Sequence, residues 1–421
     1  MVPSRYGLAG YLTGATLART GDELSGPALL LLGLTAGPGA GSALLAGLTA
    51  AAAAGGPVFG ALLDRSPAPG RLLAVALAGY AAGLALVAAV FGHLPLWPVV
   101  ALAALTGLLN PAIAGGWTAQ LPSVVGSGRL SSAKGGRLRS IARRERGRLP
   151  IASNPALATA SRLDAMTFTA AALAGPGLAG LLAALAGAST ALAVAVAMVA
   201  AALPVAWTLP RRPGPKATRL TEQLKNGFTV LLRNAPLRRA TVTSTLSCAG
   251  IGMVTVCYPL LGAAHLGGAA NGALLMTVLA VASLLANAFF TGKPDTVVRA
   301  STLLLAAGCV VSALATGATL LIIGAALAGF AEGPQLTALF AIRHRETPER
   351  VRAQVFTTAA SVKITGLALG AAVAGPLSAA GTGTCLTTAA AVQLLAAVTQ
   401  VRRPSPGRAA SPRCRGSCAA R

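Results

Sequence analysis

Charged side chains are scarce in this sequence, making up 10% of 421 residues, against roughly a quarter in an ordinary soluble domain. So few cannot cover a water-facing surface, which excludes a soluble globular protein. Acids are scarcer still, 10 Asp and Glu against 34 Lys and Arg, and there are 3 histidines. There is no GxSxG elbow, no Walker phosphate loop, no HExxH pair and no carboxylate pair with a nearby histidine. The chain therefore reads as neither an enzyme nor a cofactor protein, and an ATP-driven pump is excluded for want of a nucleotide domain. Aromatic residues make up 4%, which suits helices packed through small side chains in lipid better than a large aqueous core. Cys248, Cys257, Cys309 and Cys385 are scattered through apolar stretches, where a small buried residue is the expected role. Cys414 and Cys418 in the tail lack a second ligand pair for zinc, so neither a disulfide nor a metal is expected.

What the chain has is apolarity: 54% hydrophobic residues and a mean hydropathy of +0.70. Stretches long enough to cross a bilayer, about 17 to 25 residues each, fall near 6–34, 40–62, 72–91, 96–118, 163–186, 189–209, 239–262, 269–291, 300–316, 318–340, 354–380 and 383–401. The fold class is thus all-α integral membrane, with twelve transmembrane helices. The N-terminus lacks the pattern of a cleaved signal peptide and is kept as the first helix.

The net charge of +24 is decided by where it sits. If the spans alternate, Arg65 and Arg71, the run from Arg129 to Arg162, the segment Arg211 to Arg239, Lys293 and Arg299, Arg343 to Arg352 and the tail arginines share one side with Arg5, and the opposite loops carry no Lys or Arg. The positive-inside rule then places both termini in the cytoplasm of a multi-pass inner (cell) membrane protein. Charges split among short loops also argue against nucleic acid, leaving the bilayer and a small molecule as partners of a monomer.

The chain repeats itself. Residues 171–180, AALAGPGLAG, return as AAVAGPLSAA at 371–380, GSALLAGL from 41 is echoed by GALLMTVL from 272, and Asn110-Pro111 by Gly333-Pro334. Two pseudo-symmetric six-helix bundles follow, one over 1–208 and one over 239–401, joined by a central cytoplasmic loop at 209–238. The first bundle carries an extra basic cytoplasmic loop at 127–160, and the chain ends in a basic tail, 402–421, too rich in Pro, Arg and Gly to pack.

Repeated halves with a site between them near the midplane are the pattern of a secondary transporter. Over nearly all of residues 6–401 the chain resembles the major facilitator superfamily. GALLDRSPAPGR, Gly60 to Arg71, is similar to that family's G-x-L-x-D-R-x-G-R loop motif between helices two and three. Gly60, Leu62, Asp64 and Arg65 stand in register, and Gly70 and Arg71 come three positions late. The resemblance implies that Asp64 and Arg65 touch the start of the eleventh span and stabilise a cytoplasm-closed, outward-facing state. An aspartate at a helix end can indeed accept from a neighbouring helix N-terminus, whose partial charge it complements, although a "DR" pair also simply ends a helix. Residues 171–180 resemble the family's antiporter motif on helix five, with Gly175, Pro176 and Gly180 in place. Gly375 and Pro376 form its counterpart in the eleventh span, so related hinges are expected in two bundles that rock against each other.

Ionisable side chains inside the membrane cost about 2.5–3.5 kcal/mol each on insertion scales, so each needs a partner or a task. Arg19 and Asp22 are three residues apart on one helix face and can pair; alternatively Asp22 or Glu23 carries a proton. Glu332 and Lys363 share a depth, each about 16 Å from the basic side at 1.5 Å per residue, and an ion pair between them is expected in the second bundle. Asn110, Asn287 and Gln335 are candidates to line a polar cavity, while His93 and His265 fall in outer loops. The function expected is alternating-access transport, as proton-coupled efflux of a small amphipathic compound. Symport or uniport of a hydrophilic metabolite is the alternative, and a transport-incompetent membrane protein is the alternative of another class.

Overall fold

In a computed structural model, the chain is described over residues 7–36, 38–132, 155–211, 219–267, 269–289 and 292–400. Most of the expected basic loop, the whole tail, Cys414 and Cys418 lie outside the described residues. The first half holds α1 (Gly7–Leu34), α2 (Pro38–Arg65), α3 (Pro69–Val90), α4 (Leu96–Gly126), α5 (Pro155–Ala186) and α6 (Ala188–Trp207). A short α7 (Leu220–Arg233) follows. The second half holds α8 (Ala235–His265), α9 (Ala269–Phe289), α10 (Pro294–Ala313), α11 (Ala318–Glu346), α12 (Arg352–Ala379) and α13 (Thr382–Val398). The seventh to twelfth expected spans are therefore α8 to α13.

Among the described residues, 9 helices are long and apolar enough to cross a membrane. α1 is as long but carries Arg19, Asp22 and Glu23, while α9 and α13 contribute shorter apolar runs. Outward faces are apolar as lipid requires: Leu105, Leu185 and Leu314 are 63%, 76% and 68% exposed. Two departures from the sequence reading have physical causes. α5 begins at Pro155, a residue preorganised for the first helical turn, so Asp164 lies more than two turns inside it. The central loop contains α7, whose Gln223, Gly227 and Leu231 recur at helical spacing and are buried against the second half.

The two halves use the same pairings. α1 packs on α5 and α6 as α8 packs on α12 and α13; α2 lies on α4 as α9 lies on α11; α3 lies on α6 as α10 lies on α13. Equivalent tight turns close each half, at Gly187 (φ 90°) before α6 and Gly381 (φ 131°) before α13, a backbone region where only glycine is unstrained. α4 is broken where Pro111 removes a backbone donor, and a π-helical turn, Ala112–Gly116, follows. The first bundle's core centres on Tyr11 and Trp117, edge to face at 5.7 Å, with Tyr80 and Leu24 buried around them. The second is built on Tyr258, Leu305, Cys309 and Leu386, and its four cysteines, Cys248, Cys257, Cys309 and Cys385, are buried free thiols.

Candidate functional site: a charged cavity between the bundles

The bundles meet most closely along α2 and α12, at the arginine-rich face. Gly56 and Gly60 let α12 approach so closely that a Cβ on either would collide with backbone or side-chain atoms of Gln354, Thr357 or Ser361. Thr357 Oγ1 donates to the Gly56 carbonyl at 2.6 Å and Ser361 Oγ to the Ala52 carbonyl at 2.7 Å, so hydroxyls of one bundle bond backbone of the other. At the end of this seam the buried Asp64 carboxylate accepts the backbone N–H of Ala353 and of Gln354, each at 2.8 Å. These are otherwise unsatisfied donors of the first turn of α12, where the helix dipole favours an anion. α7 braces the same turn: Gln354 Nε2 donates to the Leu224 carbonyl and Gln223 Nε2 to the Arg350 carbonyl.

Arg65 is half-buried beside Asp64. The late-coming half of the motif sits elsewhere. Gly70 faces Ala206 and Leu209 of the other wall, and the exposed Arg71 places its guanidinium 5.1 Å from the Trp207 ring centre. Gly60 and Asp64 thus meet α12, whereas Gly70 and Arg71 fasten α3 to the end of α6.

Above this seam lies a cavity of about 170 Å³ whose walls come from both bundles. Arg19 and Asp22 line it but do not pair. Arg19, 2% exposed, turns across to α5, where Nη1 meets Asp164 Oδ1 at 2.9 Å. The same guanidinium bonds Thr167 and, at 3.0 Å, Thr118 Oγ1, and lies 3.6 Å from the centre of the Phe168 ring. Tyr11 Oη and Thr118 Oγ1 also donate to the Asp164 carboxylate, at 2.8 and 2.9 Å. Helical spacing made Asp22 the nearest acid along the chain, but a long guanidinium reaches between helices, and Asp164 offers a fully buried carboxylate there. Asp22 instead accepts from Tyr80 Oη and Asn110 Nδ2, both at 2.6 Å.

The pair expected between Glu332 and Lys363 is not made. α11 and α12, consecutive in sequence, barely touch, because α8 packs against both. Lys363 lines the cavity with Glu23 of the other bundle, and its charge acts on Glu23 and on Glu332. A second cavity of about 260 Å³ shares Asp22, Glu23, Asn110, Ile364 and Leu367 with the first and extends away from the seam along α1 and α2.

The glycine-proline motifs are not structural equivalents. Gly175 lets α5 press on α1, where a Cβ would meet Glu23 at 2.5 Å, whereas Gly180 faces open space. In the second half that role falls to Gly370, against the Ala249 carbonyl; Gly375 has nothing near it, and Gly375 and Pro376 are exposed like Pro176. The turns at Gly187 and Gly381 give the same register, so the repeated letters are displaced by more than one helical turn from the repeated geometry.

Asn287 accepts from Thr337 at 2.6 Å and, with Thr337 and Arg162 of α5, lines a separate cavity of about 300 Å³ between the bundles, whereas Gln335 donates to Thr302 at 2.7 Å inside the second bundle. His93 and His265 are exposed at helix ends. Asp164, Tyr11, Tyr80, Phe168, Phe340 and Arg343 were not singled out from the sequence. Asp164 and Arg343 were legible as ionisable residues next to apolar runs; the aromatics carried no signal.

No model of a known protein family matches the chain. A curated relative, an uncharacterized MFS-type transporter of Sinorhizobium fredii, is 28% identical over 260 residues, 59% of this chain, and the match spans 64% of that relative's length. Among solved structures, the human organic anion transporter MFSD10 superposes with a TM-score of 0.72 at 16% identity, covering 95% of this chain and all of the other. A bacterial homologue of the iron transporter ferroportin, in an outward-facing state, gives 0.68 at 17% identity over 94% of this chain and 98% of its own. The transporter FucP in its outward conformation gives 0.64 at 16% identity over 95% of this chain and all of the other.

Proposed function

We propose that this chain, which has the major facilitator fold its sequence resembles, is a secondary transporter working by alternating access, in a state closed at its arginine-rich face. The carrying observation is the charged cavity between two similarly paired bundles, with the Asp64–α12 seam sealing one side of it. The positive-inside distribution supports a cytoplasmic location for that sealed face, on which the cavity is the outward-facing half of the cycle. Two packings of the same bundles, exchanged by rocking, then expose one site to each side in turn.

The direction and coupling we favour are efflux in exchange for protons. Glu23 of α1 and Lys363 of α12 face one cavity from opposite bundles, and protonation of Glu23 removes an attraction that helps set their separation. Asp22, held by Tyr80 and Asn110, is the second protonatable group in that wall. Phe168, Phe340 and Phe356 supply apolar surface suited to the body of a small amphipathic compound. Gly175, against Glu23, is where a movement of α5 would be felt by α1. The test is uptake of small amphipathic dyes into inverted vesicles under an imposed proton gradient. Accumulation that collapses with a protonophore, and that loses its gradient dependence in Glu23→Gln, supports the reading. Gradient-independent movement favours a uniporter, and no movement of any dye removes amphipathic efflux.

A further inference from the structure

Arg19 at the cavity is paired with Asp164, Asp22 is bonded to Tyr80 and Asn110, and Glu23 and Lys363 face the same space from opposite bundles. Arg343, on α11, also lines the cavity, is 3% exposed, and makes no ion pair with a described residue. Its Nε and Nη2 have no hydrogen-bond partner. Nε and Nη2 form one edge of the guanidinium, the edge that takes a carboxylate through two parallel N–H···O bonds. A buried guanidinium without a counter-ion is costly enough that its site needs an anion from elsewhere. Beside it stand Phe340 and Phe356, ring centres 6.0 Å apart, with Phe168 5.5 Å from Phe340.

We infer that the cavity takes an amphipathic organic anion, a carboxylate with an aromatic or apolar body, whose charged end binds Arg343 and whose body lies against Phe168, Phe340 and Phe356. This rests on the transporter reading and names its substrate class. The protein makes the charge selection by leaving Arg343 without a counter-ion: a neutral or cationic analogue of the same shape leaves its guanidinium unpaired. The Nε and Nη2 edge is itself buried, so binding requires the guanidinium to turn that edge into the cavity, a change that no protein hydrogen bond to those atoms opposes.

The experiment compares benzoate, benzamide and benzylamine as thermal stabilisers of the purified full chain. Benzoate is expected to raise the melting temperature, with an affinity about tenfold or more above those of the other two, in line with charge-assisted pairing. Arg343→Gln should abolish the benzoate shift and Arg343→Lys should retain a weaker one, while Arg345→Gln, whose native partners are Asp295 and Glu346, should leave it unchanged. The ranking in the unaltered chain decides the matter even if Arg343→Gln fails to fold. No shift with benzoate, an equal or larger shift with benzylamine or benzamide, or a benzoate shift that survives in Arg343→Gln overturns the assignment. None of these results bears on whether the cavity opens alternately to the two faces, which is read separately by labelling.

Discussion

Replacing Asp64 by Asn should open the arginine-rich face. Asp64 is buried and its two carboxylate oxygens accept amides of Ala353 and Gln354 at 2.8 Å. Asn is nearly the same size, but its single carbonyl can accept one of those amides, and its NH2 turns a donor toward the other. One charge-assisted bond, about 1.5–3 kcal/mol, and the attraction to the α12 dipole, about 0.3–1 kcal/mol, are lost. The carboxylate is hydrated once the seam opens, so part of this loss is already offset in the reference state. A net shift of about 2 kcal/mol lowers the ratio of closed to open molecules about 30-fold. Spin labels at the exposed positions Pro67 and Glu349, either side of the seam, report the separation as a distance distribution. A long-distance population should grow in Asp64→Asn by that factor. If the two distributions agree within about twofold, a shift of under about 0.5 kcal/mol, the seam is not held by the carboxylate and the reasoning fails.

Asp164→Ala strands the buried Arg19 guanidinium and should cost about 3–5 kcal/mol, seen as a large fall in melting temperature; Asp164→Asn, which keeps a carbonyl acceptor for Tyr11 and Arg19 while its NH2 faces the Thr118 hydroxyl, should fall less. A loss below about 1 kcal/mol would mean that the network is solvated. Gly370→Ala pushes a methyl into the Ala249 carbonyl and should destabilise by about 1–3 kcal/mol, whereas Gly375→Ala, in open space, should be neutral or stabilising by up to about 1 kcal/mol. Equal effects at the two positions would restore the register suggested by the repeated letters. In the vesicle assay, Glu332→Gln should retain proton coupling that Glu23→Gln loses, because Glu23 lines the cavity and Glu332 does not; the reverse result would move the coupling site into the second bundle.

Hydropathy and charge made the helix count, the two halves and the basic face readable, since lipid imposes both on every span. The contact of Asp64 with the start of α12 was implied by the resemblance of its loop motif, and a helix N-terminus receives a carboxylate through backbone donors alone. The pairing of Arg19 and the placement of Lys363 were not, since they depend on which helices become neighbours. Adjacency in sequence favoured Asp22 and Glu332, while the packing brings α5 to α1 and separates α11 from α12 with α8. The Gly-Pro repeat misled for a related reason: a close approach is specified by what lies opposite, and Gly370 faces Ala249 with no proline beside it. Arg343 resembled one more positive-inside arginine in the run that ends α11; only its place beside the cavity sets it apart from Arg345, which pairs with Asp295 at 2.9 Å.

The central claim is that one cavity serves both faces in turn. Its direct measure is a single cysteine at the cavity-lining position Ala360, in a chain whose 6 native cysteines are replaced by alanine, probed in sealed vesicles with an impermeant thiol reagent from each side. In the unaltered seam the reagent should react from the face opposite the arginines and be excluded from the arginine-rich face, and Asp64→Asn should reverse that preference. Reaction from both faces at equal rates in one state, or from neither in both, would contradict alternating access.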